Sequence, residues 1–210
     1  MIALISFFKP PAKTTSSEST NQAGSPFTDK RFMLFAISCF LNAVVFMQLF
    51  NTLPVFLKTV GGLSEASVGT LMAFNGLLIV FFEMPLLHGL RNISSVAVWI
   101  AAGILSVGLG YGLLLMPLSL IIYYAMMFFL TLGEMLSFPL STTWTLNYAP
   151  EASRGKYMGI YGLSFATALV IAPLLGFFLV KQFGWSTMWM IMLFISFLNA
   201  SYLMLYVRRR

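Results

Sequence analysis

Charge is what this sequence has least of. Only 9% of its 210 residues are charged and 59% are hydrophobic, with a mean hydropathy of +0.89. A soluble domain carries about 25% charged residues, so an ordinary water-soluble fold is excluded and a membrane protein is expected. Cysteine and histidine each occur once, as Cys39 and His88. One of each excludes a disulfide framework and gives a clustered metal site too few ligands; no metal and no cofactor are expected. Acids are also scarce, six against twelve basic residues, for a net charge of +6. Basic residues are not interleaved with aromatics as in a nucleic-acid surface. They sit between long apolar runs, where positive charge orients membrane spans.

What is abundant is apolar run length. Residues 1–30 hold an apolar stub, Met1–Phe8, and the Ser/Thr/Pro-rich segment Lys9–Thr28. The stub is far short of the roughly 20 residues a span needs. It has neither a basic leader nor a small-residue cleavage site. The second segment is too polar to bury a core and reads as a flexible cytoplasmic linker. From residue 31 to 210 the apolar runs predict a bundle of six transmembrane helices, near 32–57, 67–90, 96–116, 118–148, 157–180 and 185–207. The expected fold is therefore all-α, with short loops making neighbouring helices antiparallel.

Lys and Arg counts orient the bundle. Ten of them (Lys9, Lys13, Lys30, Arg31, Arg91, Arg154, Lys156, Arg208, Arg209, Arg210) fall on one side and two (Lys58, Lys181) on the other. The excess predicts both termini in the cytoplasm, and the expected location is a plasma (inner) membrane. The sequon Asn92-Ile93-Ser94 then lies on the side where it stays unmodified. Gly108-Leu109-Gly110-Tyr111-Gly112 looks like a potassium filter but lies within a continuous apolar run, so close helix packing is expected there.

Two acids, Glu83 and Glu134, fall inside spans. A charge at a helix centre costs about 2.5–3.5 kcal/mol on insertion scales, and such residues mark transport paths. Helical spacing groups Glu134 with Met127, Thr131, Ser137, Phe138 and Ser141. An acid, hydroxyls and adaptable apolar groups on one face suit a wet proton and substrate cavity, although an acid fixing two helices together would use the same spacing. Pro139 loosens the backbone nearby. Glu83 lies eight residues before Arg91, about 12 Å along an axis, and could join a cytoplasmic charge cluster with Arg91 or Arg154. Gln48 and Asn51 are about 60° apart on an ideal helix and form one polar stripe. With Asn75 they are candidates for the cavity, or for interhelical hydrogen bonds. Ser164, Ala168, Ala172 and Gly176, with Pro173 among them, form a small-residue helix-packing face.

The order of these features resembles the C-terminal half of a major facilitator superfamily transporter, in particular a drug- or sugar-efflux proton antiporter. The residues that carry the likeness are Leu53-Pro54, Gly61-Gly62-Leu63-Ser64, Asn75-Gly76-Leu77 and Glu83-Met84-Pro85-Leu86. Gly133-Glu134, Pro139, Ala149-Pro150-Glu151, Arg154-Gly155, Gly159, Pro173 and Gly176 complete it. The loop His88-Gly89-Leu90-Arg91-Asn92 departs from the family's signature loop by lacking its acid and second basic cluster. The resemblance implies that the first and fourth spans line a central cavity with Glu134 toward the substrate. It implies that the second and fifth face another six-helix half, either an N-terminal half or a second copy. It also implies that Arg91, Glu151 and Arg154 form a cytoplasmic charge cluster.

The expected function is alternating-access transport of a small molecule, coupled to protons and directed outward. The alternative is a truncated remnant, or an interaction partner of an intact carrier, that transports nothing. An intramembrane protease of the rhomboid type is disfavoured, because His88, the single histidine, lies at the membrane edge; no enzyme activity is expected.

Overall fold

The computed structural model describes residues 25–90 and 95–206. The apolar stub, most of the linker, Arg91 and the terminal arginines lie outside the described residues. Within them the chain is all-α: α1 (Lys30–Phe46), α2 (Thr52–Thr59), α3 (Glu65–Gly89), α4 (Val96–Leu113), α5 (Leu120–Tyr148) and α6 (Arg154–Tyr206), with single turns of 3-10 helix between some of them. Side-chain caps start three of these helices. Asp29, Ser64 and Ser119 accept hydrogen bonds from the amides of Phe32, Ser67 and Ile122, satisfying donors that a first turn leaves open.

The first apolar run is not one continuous helix. A 3-10 turn at Met47–Leu49 separates α1 from α2, although together they still form a 30-residue apolar segment. A backbone break in hydrocarbon needs replacement partners for its carbonyls. Here Tyr111 donates to the Phe46 carbonyl at 3.3 Å and Asn51 to the Met47 carbonyl at 2.7 Å.

α6 is a hairpin rather than a rod. Its 53 residues would span about 80 Å if straight, against a hydrocarbon core of about 30 Å. Gly184, at φ 80° and ψ 173°, interrupts it in a region of backbone space that glycine tolerates best. The arms on either side return to the same place: Tyr161 from the first, and Ala200 and Leu203 from the second, share one apolar cluster with Phe35 and Cys39.

α4 is the central helix, packed on α5 and on α6. Glycines let it approach closely. A Cβ at Gly103 would meet the Ser137 amide nitrogen at 2.8 Å, and one at Gly133 the Val107 amide nitrogen at 2.9 Å. Gly108 abuts Ser196, Gly110 abuts Leu130, and Gly112 faces Leu193, so the glycine-rich stretch packs helices and is no filter. The largest core cluster includes Trp189, stacked on Tyr111 with ring centroids 5.1 Å apart. α3 is the outlier: of its 25 residues only Leu71 and Asn75 are buried.

Candidate functional site

The site forms where α3 touches α5. Asn75, one of the two buried residues of α3, donates through Nδ2 to Thr131 Oγ1 at 2.9 Å and to Glu134 Oε2 at 3.1 Å. Thr131 Oγ1 in turn donates to the Met127 carbonyl at 2.7 Å, which leaves its oxygen free to accept. Polarity therefore runs in one direction, from Asn75 to a carboxylate and a hydroxyl one turn apart. Asn75, singled out in the sequence independently of the Thr131/Glu134 pair, joins those two residues here. Glu134 is half-buried, and Glu83, further along α3, lies within electrostatic reach of it.

The rest of the expected face divides around the helix. Thr131 and Ser137 each lie about 60° from Glu134, on opposite sides. Thr131 thus meets α3, whereas Ser137 meets α1 by accepting from Asn42 Nδ2 at 3.1 Å. Glu134 sits between those two contacts, and α1 and α3 do not pack on each other. The carboxylate consequently faces the gap between two helices. Phe138, a turn further on, is wedged between Phe46 and Phe165 at 4.8 and 5.2 Å between ring centroids.

Other expected cavity residues are sealed in the core. Met127 and Ser137 have no exposed surface and Ser141 only 3%; all three are enclosed by packed helices rather than facing the gap. Gln48 is fully buried as well. It donates to the Ala172 carbonyl at 2.9 Å and accepts from Thr52 at 2.9 Å, joining the first segment to α6. Asn51 bonds its own backbone. The 60° spacing read for Gln48 and Asn51 does not hold, because the 3-10 turn between α1 and α2 changes the angular step.

The small-residue face of α6 packs on α1. Ala168 and Ala172 are fully buried against Ala43 and Val44, Gly176 lies against Gln48 and Thr52, and Ser164 and Pro173 are half-buried beside them.

Among the described residues Glu83, Glu151 and Arg154 form no ion pair with one another, and Glu151 and Arg154 are exposed. A different cluster ties the helix ends on that side. Asp29 Oδ1 accepts from Tyr148 and Oδ2 from Tyr157, both at 3.1 Å, while the Arg31 guanidinium lies 5.6 Å from the Tyr148 ring centre. The sequence signal for it was an acid immediately before an apolar helix, which does not reveal what else the acid binds.

These features coincide with a match to the family model of the Major Facilitator Superfamily over residues 1–167 and 97–210. The chain belongs to this superfamily. It is a family of membrane transporters, not of enzymes, and the chain is an integral membrane protein. Among its relatives is a Na(+), Li(+), K(+)/H(+) antiporter of Planococcus maritimus, 28% identical over 162 residues, covering 70% of this chain and 38% of the antiporter. Another is the uncharacterized MFS-type transporter YttB of Bacillus subtilis (strain 168), 25% identical over 171 residues, covering 80% of this chain and 43% of YttB. The chain thus spans about two-fifths of the length of these superfamily relatives. The fold also matches a crystal structure of a POT family transporter in complex with 5-aminolevulinic acid. That match has a TM-score of 0.71 at 19% identity, over 86% of this chain and 41% of the transporter.

Proposed function

We propose that this superfamily member transports a small solute by alternating access, exchanging it for a proton carried by Glu134. It would work as the C-terminal half of a carrier, with six membrane crossings counted by taking the α6 hairpin as two, paired with a second six-helix half. The observation that carries this reading is the setting of Glu134: a half-buried carboxylate held by the neutral amide of Asn75 and facing the gap between α1 and α3. Intramembrane acids placed in this way serve ion and substrate paths. The poorly buried α3 supports a missing partner half. The ten-to-two distribution of positive charge supports termini in the cytoplasm.

The class of solute is narrowed by the oxygen atoms near Glu134. Glu83 adds a second carboxylate within electrostatic reach, and the Asn75 amide carbonyl supplies a further hard oxygen. A monovalent cation fits such a set, in keeping with the ions named for the Planococcus relative. The experiment is proton movement in liposomes holding the chain with an N-terminal six-helix half and a trapped pH dye. An imposed Na(+), Li(+) or K(+) gradient is expected to move protons in the opposite direction. If no gradient of these ions moves protons, the monovalent-cation assignment fails; if none of small organic cations or sugars does so either, the chain is a non-transporting remnant or partner instead.

A further inference from the structure

A second feature lies on the outer surface, away from Glu134. α1 and the second arm of α6 leave between them a groove of about 350 Å³, within the size range of a small-ligand pocket. Leu34, Ile37 and Leu41 form one wall, and Ile195, Leu198 and Tyr202 the other. Its polar groups are turned inward: Asn199, 4% exposed, donates to the Ser38 carbonyl at 2.9 Å. What remains toward the bilayer is hydrocarbon, with Ile37 and Leu198 each about half exposed.

The groove also has an oriented end. Residues 30, 34, 37, 38 and 41 follow the spacing of a single helical stripe, so exposed Lys30 stands one turn, about 6 Å, beyond Leu34. Lys30 follows Asp29 and precedes Arg31, a run of charges that belongs at a bilayer surface. A hydrocarbon slot running into the membrane from a surface lysine has the layout of a phospholipid: tail below, anionic phosphate above.

We propose that the groove between α1 and the second arm of α6 seats an acyl chain of an anionic phospholipid whose phosphate lies at Lys30. The occupant is a bilayer lipid rather than a second protein chain, because the walls are uncharged and the only cation on the stripe lies at its surface end. Such a lipid would brace α1 just before its break at Met47–Leu49. The site does not depend on the transport reading.

Native mass spectrometry of the full chain in mild detergent, with equimolar dioleoylphosphatidylglycerol and dioleoylphosphatidylcholine, tests this. The phosphatidylglycerol adduct should exceed the phosphatidylcholine adduct by about fivefold, the preference expected from one lysine near an anionic surface. Leu198→Trp, or Ile37→Trp on the facing wall, fills the groove and should reduce bound phosphatidylglycerol by about fivefold or more. Lys30→Gln should bring the two adducts level while lipid is still retained. Val170→Trp, on an exposed face of the first arm of α6, should change nothing. Equal adducts on the parent chain, or undiminished phosphatidylglycerol on both groove-filling variants, overturn the proposal. So does a dimer that either groove variant splits, since the groove would then hold a second copy.

Discussion

Glu134→Gln is expected to reduce proton-coupled flux to that of empty vesicles while leaving the fold intact. Gln has nearly the shape of Glu, and its carbonyl oxygen can still accept the Asn75 hydrogen bond now made at 3.1 Å. Packing and the contact between α3 and α5 are therefore kept, and only the exchangeable proton is lost. Glu134→Asp should retain measurable flux, because the carboxyl is shortened but present. An acid serving only to tie α3 to α5 would give the opposite ranking. Gln, keeping the bond, would then behave like the parent, whereas Asp, drawn back from Asn75, would be the damaged variant. Flux and thermal midpoint measured on the same two preparations separate these outcomes.

The largest effect on folding is expected one residue earlier. A Cβ at Gly133 would stand 2.6 Å from the Gly103 carbonyl oxygen and 2.9 Å from the Val107 amide nitrogen. These are backbone atoms of α4 that no rotamer change can move aside. Overpacking a core typically costs about 1–3 kcal/mol even when some relaxation is possible, so Gly133→Ala should lower the thermal midpoint clearly. Gly133→Leu should yield little or no monodisperse protein in mild detergent, because α4 and α5 could not close. Gly162→Leu is the control: a Cβ there meets nothing within 4 Å, and normal yield is expected. The close contact also bears on the site. With Gly133 seated on α4, the next residue is turned about 100° around α5, which directs Glu134 away from α4 and toward the gap.

How much of this was readable in advance depended on the distance over which each feature is determined. Apolar run length specifies helices locally, and the membrane class follows from it. That Glu134 matters was also a local reading, an acid in an apolar run. Its partner was not, because Asn75 is 59 residues away and only the placement of α3 on α5 joins them. The face drawn around Glu134 was too wide for the same reason. Thr131 and Ser137 are equally near it in helical spacing, but different neighbouring helices cover them, and that is a tertiary fact. The break at Met47–Leu49 had only an indirect local signal. Pro54, in the first turn of α2, cannot donate to the carbonyl four residues back and marks a helix start, but Phe46-Met47-Gln48-Leu49-Phe50 itself contains neither glycine nor proline. Its stabilising hydroxyl comes from Tyr111, 65 residues on. Asp29 was visible only as an acid before a helix, and its binding of Tyr148 and Tyr157 again needed the folded chain.

The claim on which the functional account rests is that the Glu134 side chain faces water. Cys39 is buried and is the sole cysteine, so Cys39→Ser gives a clean background for a cysteine placed at position 134. The measurement is the rate at which Glu134→Cys, in liposomes with a partner half, reacts with a charged, membrane-impermeant methanethiosulfonate. Rapid labelling by the charged reagent is the expected result. A thiol that reacts only with an apolar maleimide would place position 134 in lipid or dry packing and contradict the account.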